Sequence, residues 1–350
     1  MRKILSLATV LMLILSTFSA CGGSSSGTTG TSMGTPASSA APQAVKTVTL
    51  KLAVESAVGT PGEISGGDFK TLVEEKSNGS IKINYYPVGQ LGTGDDLTEQ
   101  MLGGTVDMSW RAIEWYSKLE KGWQILGMGF LFKNEDHLNA FLDSEKHTAF
   151  KEDLIKTAGL RMIADKGIGS PRVLVAKKPV NSPEDMKGMN MRVPGLEMSL
   201  RTWKGVGVNI MEIPWGEAYM ALSQGTVDAL ESPLGSIYGM KFYEMAKNIT
   251  CTNHMYSPYV MVINEKSWQQ LSPEQQAIVQ ECAEEAAQRY IKYDKESADA
   301  NKKLMEQAGV VINETPDIEA FMAKLADVSK QCEAEGMWPA GLYDYVQSLK

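Results

Sequence analysis

The chain has 350 residues, of which 43% are hydrophobic and 22% charged, and its formal net charge is −8. That is enough chain for two domains with their own cores, and the acidic balance speaks against nucleic acid and against a polybasic membrane patch, though not against an anion held by a few cations in a pocket. The four cysteines, at 21, 251, 282 and 332, form no CxxC pair and no disulfide framework, and the three histidines stand at no metal-ligand spacing, so neither a structural zinc site nor a cofactor is expected.

The chain opens on Met1-Arg2-Lys3, followed by apolar or small residues over 4–20, a run that suits the core of a signal peptide. Phe18-Ser19-Ala20-Cys21-Gly22 resembles the bacterial lipoprotein cleavage box, with Phe18 where Leu is usual. In that reading 1–20 is removed and Cys21 becomes the lipidated N-terminus; an ordinary secretory signal or an uncleaved anchor helix is the alternative. Residues 22–42 are rich in Ser, Gly, Thr and Ala with no charged residue, a flexible tether with almost nothing to bury. The expected location is beyond the cytoplasm, on the outer face of the cytoplasmic membrane (cell surface or periplasm), with the lipid as the only membrane attachment.

Residues 47–54 (TVTLKLAV) alternate apolar and polar and predict a strand; Phe69, Leu72 and Val73 mark a helix face that stops at the 77–80 turn, and 81–86 (IKINYY) predict a second strand. Strand, helix, strand in this order is a βαβ unit crossing right-handed into a parallel sheet. A helix around 96–102 and the turn GTVDM at 104–108 follow. The same order returns later: a strand at 189–193, a helix at 197–204, a strand at 208–213, a helix opened by Pro214-Trp215-Gly216-Glu217, and GTVDA at 225–229. The repetition suggests two related α/β halves. Ser182-Pro183-Glu184-Asp185 and Ser272-Pro273-Glu274-Gln275 are capping-box patterns with Pro in the first turn. Residues 273–308 contain no further Pro or Gly; one continuous helix there runs on the order of 50 Å, long enough to brace both halves, and two helices with an unmarked break are the alternative. A helical stretch at 317–335 and a closing segment at 338–349 complete the chain.

Motifs of catalysis are missing: there is no phosphate loop, GxSxG, HExxH or CxxC. His137 and His147 lie in polar helical sequence and read as surface residues, whereas His254 precedes an apolar strand-like run. Arg172 leads into an apolar strand, and Arg192 stands at the carboxyl end of one, where ligands bind in open α/β sheets. A guanidinium there offers a permanently charged planar fork that fits a carboxylate, or it pairs with a neighbouring Asp or Glu.

Taken in order, Lys187-Gly188-Met189-Asn190-Met191-Arg192-Val193-Pro194, Pro214-Trp215-Gly216-Glu217-Ala218-Tyr219, Gly225-Thr226-Val227-Asp228-Ala229-Leu230-Glu231-Ser232-Pro233, Lys241-Phe242-Tyr243-Glu244 and Thr252-Asn253-His254 resemble the solute-binding proteins of tripartite ATP-independent periplasmic (TRAP) transporters, DctP type. The resemblance covers 47–335. It implies an α/β, two-lobed, periplasmic-binding-protein-like clamshell of class II type, with crossing hinge strands and a long helix spanning both lobes. It assigns 47–169 with about 257–298 to the first lobe, and 170–256 with about 299–350 to the second. It implies a non-enzymatic protein that captures a small organic acid and hands it to the small and large membrane subunits of the transporter. Arg192 is implied to make the two-pronged pair with the substrate carboxylate, and Arg172 to join a polar network with Glu231 and His254.

This chain departs from the family pattern at Trp215, where Phe is usual, at Ser232, where Asn is usual, and at Ala229 in place of Gly. In the first lobe Glu55 is a further candidate, as are Trp110, Arg111 and Trp115 after the Gly-Thr-Val-Asp turn: Arg111 meets a second acidic group or pairs with Glu114, and Glu55 accepts from a ligand hydroxyl or amine or offsets Arg111. Pyruvate- or lactate-like acids, C4-dicarboxylates, sugar acids and aromatic acids all remain open, Trp215 favouring small or flat ones. A binding protein of another transport or sensing system, or a secreted lyase or hydrolase using His254 and Glu231, is the alternative.

Overall fold

The structure, a computed structural model, describes residues 47–350. The expected signal segment 1–20, the lipidation site Cys21 and the tether up to 46 lie outside the described residues.

Among the described residues eleven strands form two mixed sheets. The first takes β1 (Val48–Val54), β2 (Ile81–Tyr86), β3 (Met108–Ala112), β4 (Leu160–Gly167) and, from much later in the chain, β10 (Tyr259–Asn264), in the order β2-β1-β3-β10-β4. The second takes β5 (Arg172–Ala176), β6 (Asn190–Val193), β7 (Asn209–Glu212), β8 (Ala229–Pro233), β9 (Asn248–Met255) and β11 (Val311–Asn313), in the order β11-β9-β5-β8-β6-β7. β1 pairs in parallel with β2 across the helix Pro61–Lys76, as the βαβ reading requires, while β10 runs antiparallel to both its neighbours. The chain crosses between the sheets at 168–171 and at 256–258, and a third time over 265–310 on its way from β10 to β11.

The repeated GTVD turn does the same work in each half. Gly104 and Gly225 adopt positive φ (72° and 81°), which lets the chain reverse there. The aspartate then accepts from a neighbouring parallel strand: Asp107 Oδ2 from Lys51 N at 2.8 Å, and Asp228 Oδ2 from Asn190 N at 3.0 Å. Pairing starts one residue later in both, Leu52 with Met108 and Met191 with Ala229. The two halves thus repeat the same pairing, residue for residue, where β3 and β8 begin.

Pro273–Gln307 is a single helix of 35 residues opened by the Ser272/Gln275 capping box. Val279, Cys282, Ala283, Ala286 and Tyr290 fill the core beneath the first sheet, and Met305 enters the core of the second with Val173, Leu230 and Ile249. Between these contacts Asp294 accepts from Ser170 N at 2.6 Å and Ser170 Oγ at 2.5 Å, fastening the first crossing to the brace.

Two expectations are corrected. The 317–335 stretch is two helices, Ile318–Leu325 and Val328–Ala334. Phe321 and Leu325 pack with Val193 and Trp203 of the second sheet's core, but Cys332, Met337, Trp338, Leu342 and Val346 join Trp123, Phe141 and Leu154 of the first. The apolar face of the chain's end thus packs into that core. His137 and His147 are buried, not on the surface. Each ring has found partners that make burial tolerable: His137 Nε2 meets Val346 O at 2.7 Å, and His147 lies between Trp123 Nε1 (3.1 Å) and Asp165 Oδ2 (3.0 Å).

Candidate functional site

A cavity with about 870 Å³ of atom-free space opens between the two sheets and is lined from both. The first sheet and its loops contribute Glu55, Arg111, Glu114, Trp115 and Tyr259; the second contributes Arg172, Arg192, Trp215 and Ser232. Glu55 follows the end of β1, while Arg111, Arg192 and Ser232 sit in the last two residues of β3, β6 and β8, so carboxyl strand ends supply the wall.

The cations of this wall differ in one respect. Arg111 is 2% exposed and fully engaged: Nη1 donates to Glu55 Oε1 (3.0 Å) and Gly94 O (2.8 Å), and Nη2 to Thr98 Oγ1 (2.6 Å). Burial would weaken its charge, but the fields of Tyr116 and Glu55 more than restore it. Arg172 is locked to Glu231: Nε donates to one carboxylate oxygen and Nη2 to the other at 2.9 Å. His254 Nε2 lies 3.4 Å from Glu231, and its Nδ1 meets Thr252 Oγ1 at 2.8 Å. Burial alone would raise the Glu231 carboxyl; the Arg172 charge and the His254 hydrogen bond outweigh it and hold the group well below the usual carboxylate range.

Arg192 is 3% exposed and has no carboxylate partner among the described residues. Its Nε donates to Ile213 O at 2.8 Å and its guanidinium carbon lies 5.4 Å from the centroid of the Trp215 ring, a cation–π contact. Trp215 is itself held edge-on against Phe242. The outer nitrogens of Arg192 are free toward the cavity. Of the six arginines among the described residues, the other five are ion-paired. Burial pushes Arg192 down to about 10, with Glu231 opposing and Arg172 reinforcing the shift, so it remains a cation at neutral pH.

Glu114 was considered from sequence only as a partner for Arg111, and that reading is corrected: Arg111 takes Glu55, and Glu114 stands alone. It is 3% exposed, neither of its carboxylate oxygens has a hydrogen-bond partner, and burial raises it to about 7. Trp110 is the second correction. It neighbours Arg111 on β3 and so faces the opposite side of the sheet; its ring is fully buried, its Nε1 donates to Ser65 Oγ (2.9 Å), and it packs edge-on against Tyr259 and Tyr290. The other named candidates, Glu55, Arg111, Arg172, Arg192, Trp215 and Ser232, all line the cavity, with Glu231 and His254 immediately behind Arg172. Trp115 lines it as well, as do Ser257 and Tyr259, which only their position in or just after the second crossing marks in the sequence. Among the described residues no group of three or more His, Cys, Asp or Glu is arranged to hold a metal, and no helix is long and apolar enough to cross a membrane.

Residues 54–335 match the family model of the bacterial extracellular solute-binding proteins, family 7 (DctP). The chain is similar to the 2,3-diketo-L-gulonate-binding periplasmic protein YiaO of Escherichia coli (strain K12), 29% identical over 278 residues that cover 79% of this chain and 84% of that one. Its fold is shared with a TRAP periplasmic solute-binding protein from Ochrobacterium anthropi with bound L-fuconate (TM-score 0.80, 29% identity, 86% of this chain and 99% of that one). It is shared too with one from Pseudomonas putida F1 with bound D-glucuronate (TM-score 0.79, 26% identity, 86% and 97%). With two lobes, a brace helix and a cationic cleft already in place, the chain belongs to the DctP family of bacterial extracellular solute-binding proteins.

Proposed function

We propose that this protein captures a small organic acid outside the cytoplasm, holds its carboxylate two-pronged on Arg192, and delivers it to the membrane subunits of a TRAP transporter. The observation that carries the reading is the buried, unpaired Arg192 guanidinium facing the cavity, in a wall where every other arginine is neutralised by a carboxylate of the chain itself. A buried cation without a counter-ion is costly, and a carboxylate entering the cleft removes that cost with two parallel N–H···O bonds. Trp215 keeps the fork in place from one side. The Arg172–Glu231–His254 network stands beside it, and Ser232 and Glu55 offer hydrogen-bonding groups in the cavity wall.

In this reading the lobes move about the crossings at 168–171 and 256–258 while the long helix keeps them paired. Closure excludes water and strengthens the ion pair, and the acid favours the closed state by its higher affinity for it. No chemistry is performed on the solute: of the pair an enzyme would call upon, Glu231 is committed to Arg172 and His254 to Glu231 and Thr252, and neither is part of the cavity lining. A sugar acid is the first class to try, because YiaO is named for 2,3-diketo-L-gulonate and the two similar structures hold L-fuconate and D-glucuronate. Lipid attachment through Cys21 would keep the protein at the membrane; release of a Cys21→Ser variant into the medium tests it.

The central test is calorimetry with acids selected by thermal shift. Arg192→Ala is expected to lose about 2–5 kcal/mol of binding free energy, and Arg192→Lys to bind poorly because an ammonium is a point charge and not a fork. Binding by Arg192→Ala within a few-fold of wild type overturns the reading.

A further inference from the structure

Glu114 lies just beyond β3 in the turn Ile113–Tyr116, which is tied to the second crossing by Ile113 N donating to Pro258 O at 2.9 Å. From that crossing the Ser257 hydroxyl stands against the Glu114 carboxyl without forming an aligned bond, and it too is buried without a partner. Two carboxyl oxygens and one hydroxyl are therefore buried without aligned partners among the described residues, in side chains that line the cavity on the wall belonging to the other sheet from Arg192. The charged and titratable groups that face Glu114 are Arg172 from β5, Glu231 from β8, Tyr259 from β10 and Tyr290 from the long helix. Arg172 is already spoken for by Glu231, so none of these is a counter-ion free to pair with it.

Charge in the cleft sums simply. Arg111 cancels Glu55, Arg172 cancels Glu231, and on the reading above Arg192 cancels the acid. An ionised Glu114 would then be a surplus negative charge in a water-excluding site, next to an anion it can only repel. A neutral carboxyl instead presents one O–H donor and one acceptor, and with the Ser257 hydroxyl it matches groups that both give and take a hydrogen bond. An alkyl chain in that place would bury all three polar atoms unpaired.

Resting on the proposed capture of an acid by Arg192, we propose that Glu114 and Ser257 form a second recognition pole that takes a hydroxyl-bearing part of the acid, with Glu114 neutral in the loaded cleft. The protein then selects hydroxylated monocarboxylates and takes up a proton as it binds them. Burial has already brought Glu114 to about 7 before any ligand enters, so the step is small near neutral pH.

D-gluconate and hexanoate, two monocarboxylates of equal carbon number, test this by calorimetry from about pH 6 to about pH 9 in buffers of different ionisation heat. D-gluconate should bind more tightly by roughly tenfold to a hundredfold, take up a proton near neutral pH, and weaken by up to about tenfold per pH unit above pH 7. Glu114→Gln, which cannot ionise, should remove the slope and the proton uptake. Glu114→Leu should narrow the preference for D-gluconate by about tenfold. The wild-type slope and the isosteric Gln variant make the result independent of how Leu is tolerated. Binding of D-gluconate with no pH slope and no proton uptake overturns the role of Glu114 while leaving Arg192 in place. Affinity that rises with pH overturns it too. Failure of D-gluconate, D-glucuronate and L-fuconate alike to bind overturns both this inference and the reading of the site on which it rests.

Discussion

Arg172 and Glu231 face one another across β5 and β8 as a two-pronged ion pair, and this pairing is what leaves the neighbouring Arg192 without a carboxylate. The acid that could have neutralised either arginine is committed to one of them, and His254 holds it there. One carboxylate among two buried cations makes a wall with a single vacancy for an anion.

Replacing Glu231 by Gln is therefore expected to destabilise the protein by about 3–5 kcal/mol, since Arg172 is left as an uncompensated buried charge beside a second one. Urea titration of the ligand-free protein measures it. A change below about 1 kcal/mol would mean the pair behaves as a solvent-screened surface contact, contrary to the 2% exposure of Glu231.

Away from the cleft, Asp165 binds the buried His147 ring and Lys151 Nζ at 2.7 Å. Burial alone would raise its carboxyl, but the His147 hydrogen bond and the Lys151 charge prevail and hold it at about 2. A depressed carboxyl stabilises the fold above its unfolded value of about 3.9 and loses that contribution as pH falls toward 2. The stake is about 2 kcal/mol. Denaturant midpoints at several pH values should show Asp165→Asn less stable than wild type at neutral pH, with the gap closing between pH 4 and pH 2. A gap that stays constant across that window refutes the assignment.

Much of this architecture is local and was readable as such. The capping boxes at Ser182 and Ser272 need only side chains three residues apart, and both formed. The GTVD turns and the strands around them follow from period and glycine placement. What could not be read depends on partners far along the chain. His137 and His147 look like surface residues until Val346 and Asp165 are brought to them. That Arg111 takes Glu55 and leaves Glu114 alone depends on β1 lying beside β3. Trp110 is the exception, because alternation along β3 puts it opposite Arg111, and that parity was available in five residues.

Asp294 is the point at which the brace holds the hinge. It takes both the backbone N–H and the hydroxyl of Ser170, and Gly169 beside it lies so close to Tyr290 that a Cβ there would touch the ring. Asp294→Ala should cost about 1–3 kcal/mol and loosen the first crossing without altering either core. Hydrogen exchange at 168–171 is expected to accelerate well beyond that in β1 or β10. Uniform acceleration across both sheets would show that the contact stabilises the whole fold instead of the crossing.

The sharpest contrast lies between Arg111 and Arg192, two arginines of nearly equal burial in one cavity wall. Arg111 satisfies Glu55, Gly94 and Thr98, so Arg111→Met strands a carboxylate and should destabilise the free protein by about 3–5 kcal/mol. Arg192 satisfies only the Ile213 carbonyl and the Trp215 face while carrying an unpaired charge that burial disfavours. Arg192→Met should leave the ligand-free protein as stable as wild type or more so, by about 0.5–2 kcal/mol. Opposite signs for two chemically identical substitutions, measured in the same denaturant and without any acid present, separate a cation that builds the fold from one that the fold holds in readiness. Equal destabilisation by both would mean that Arg192 is a structural residue and that the anion site must be sought elsewhere.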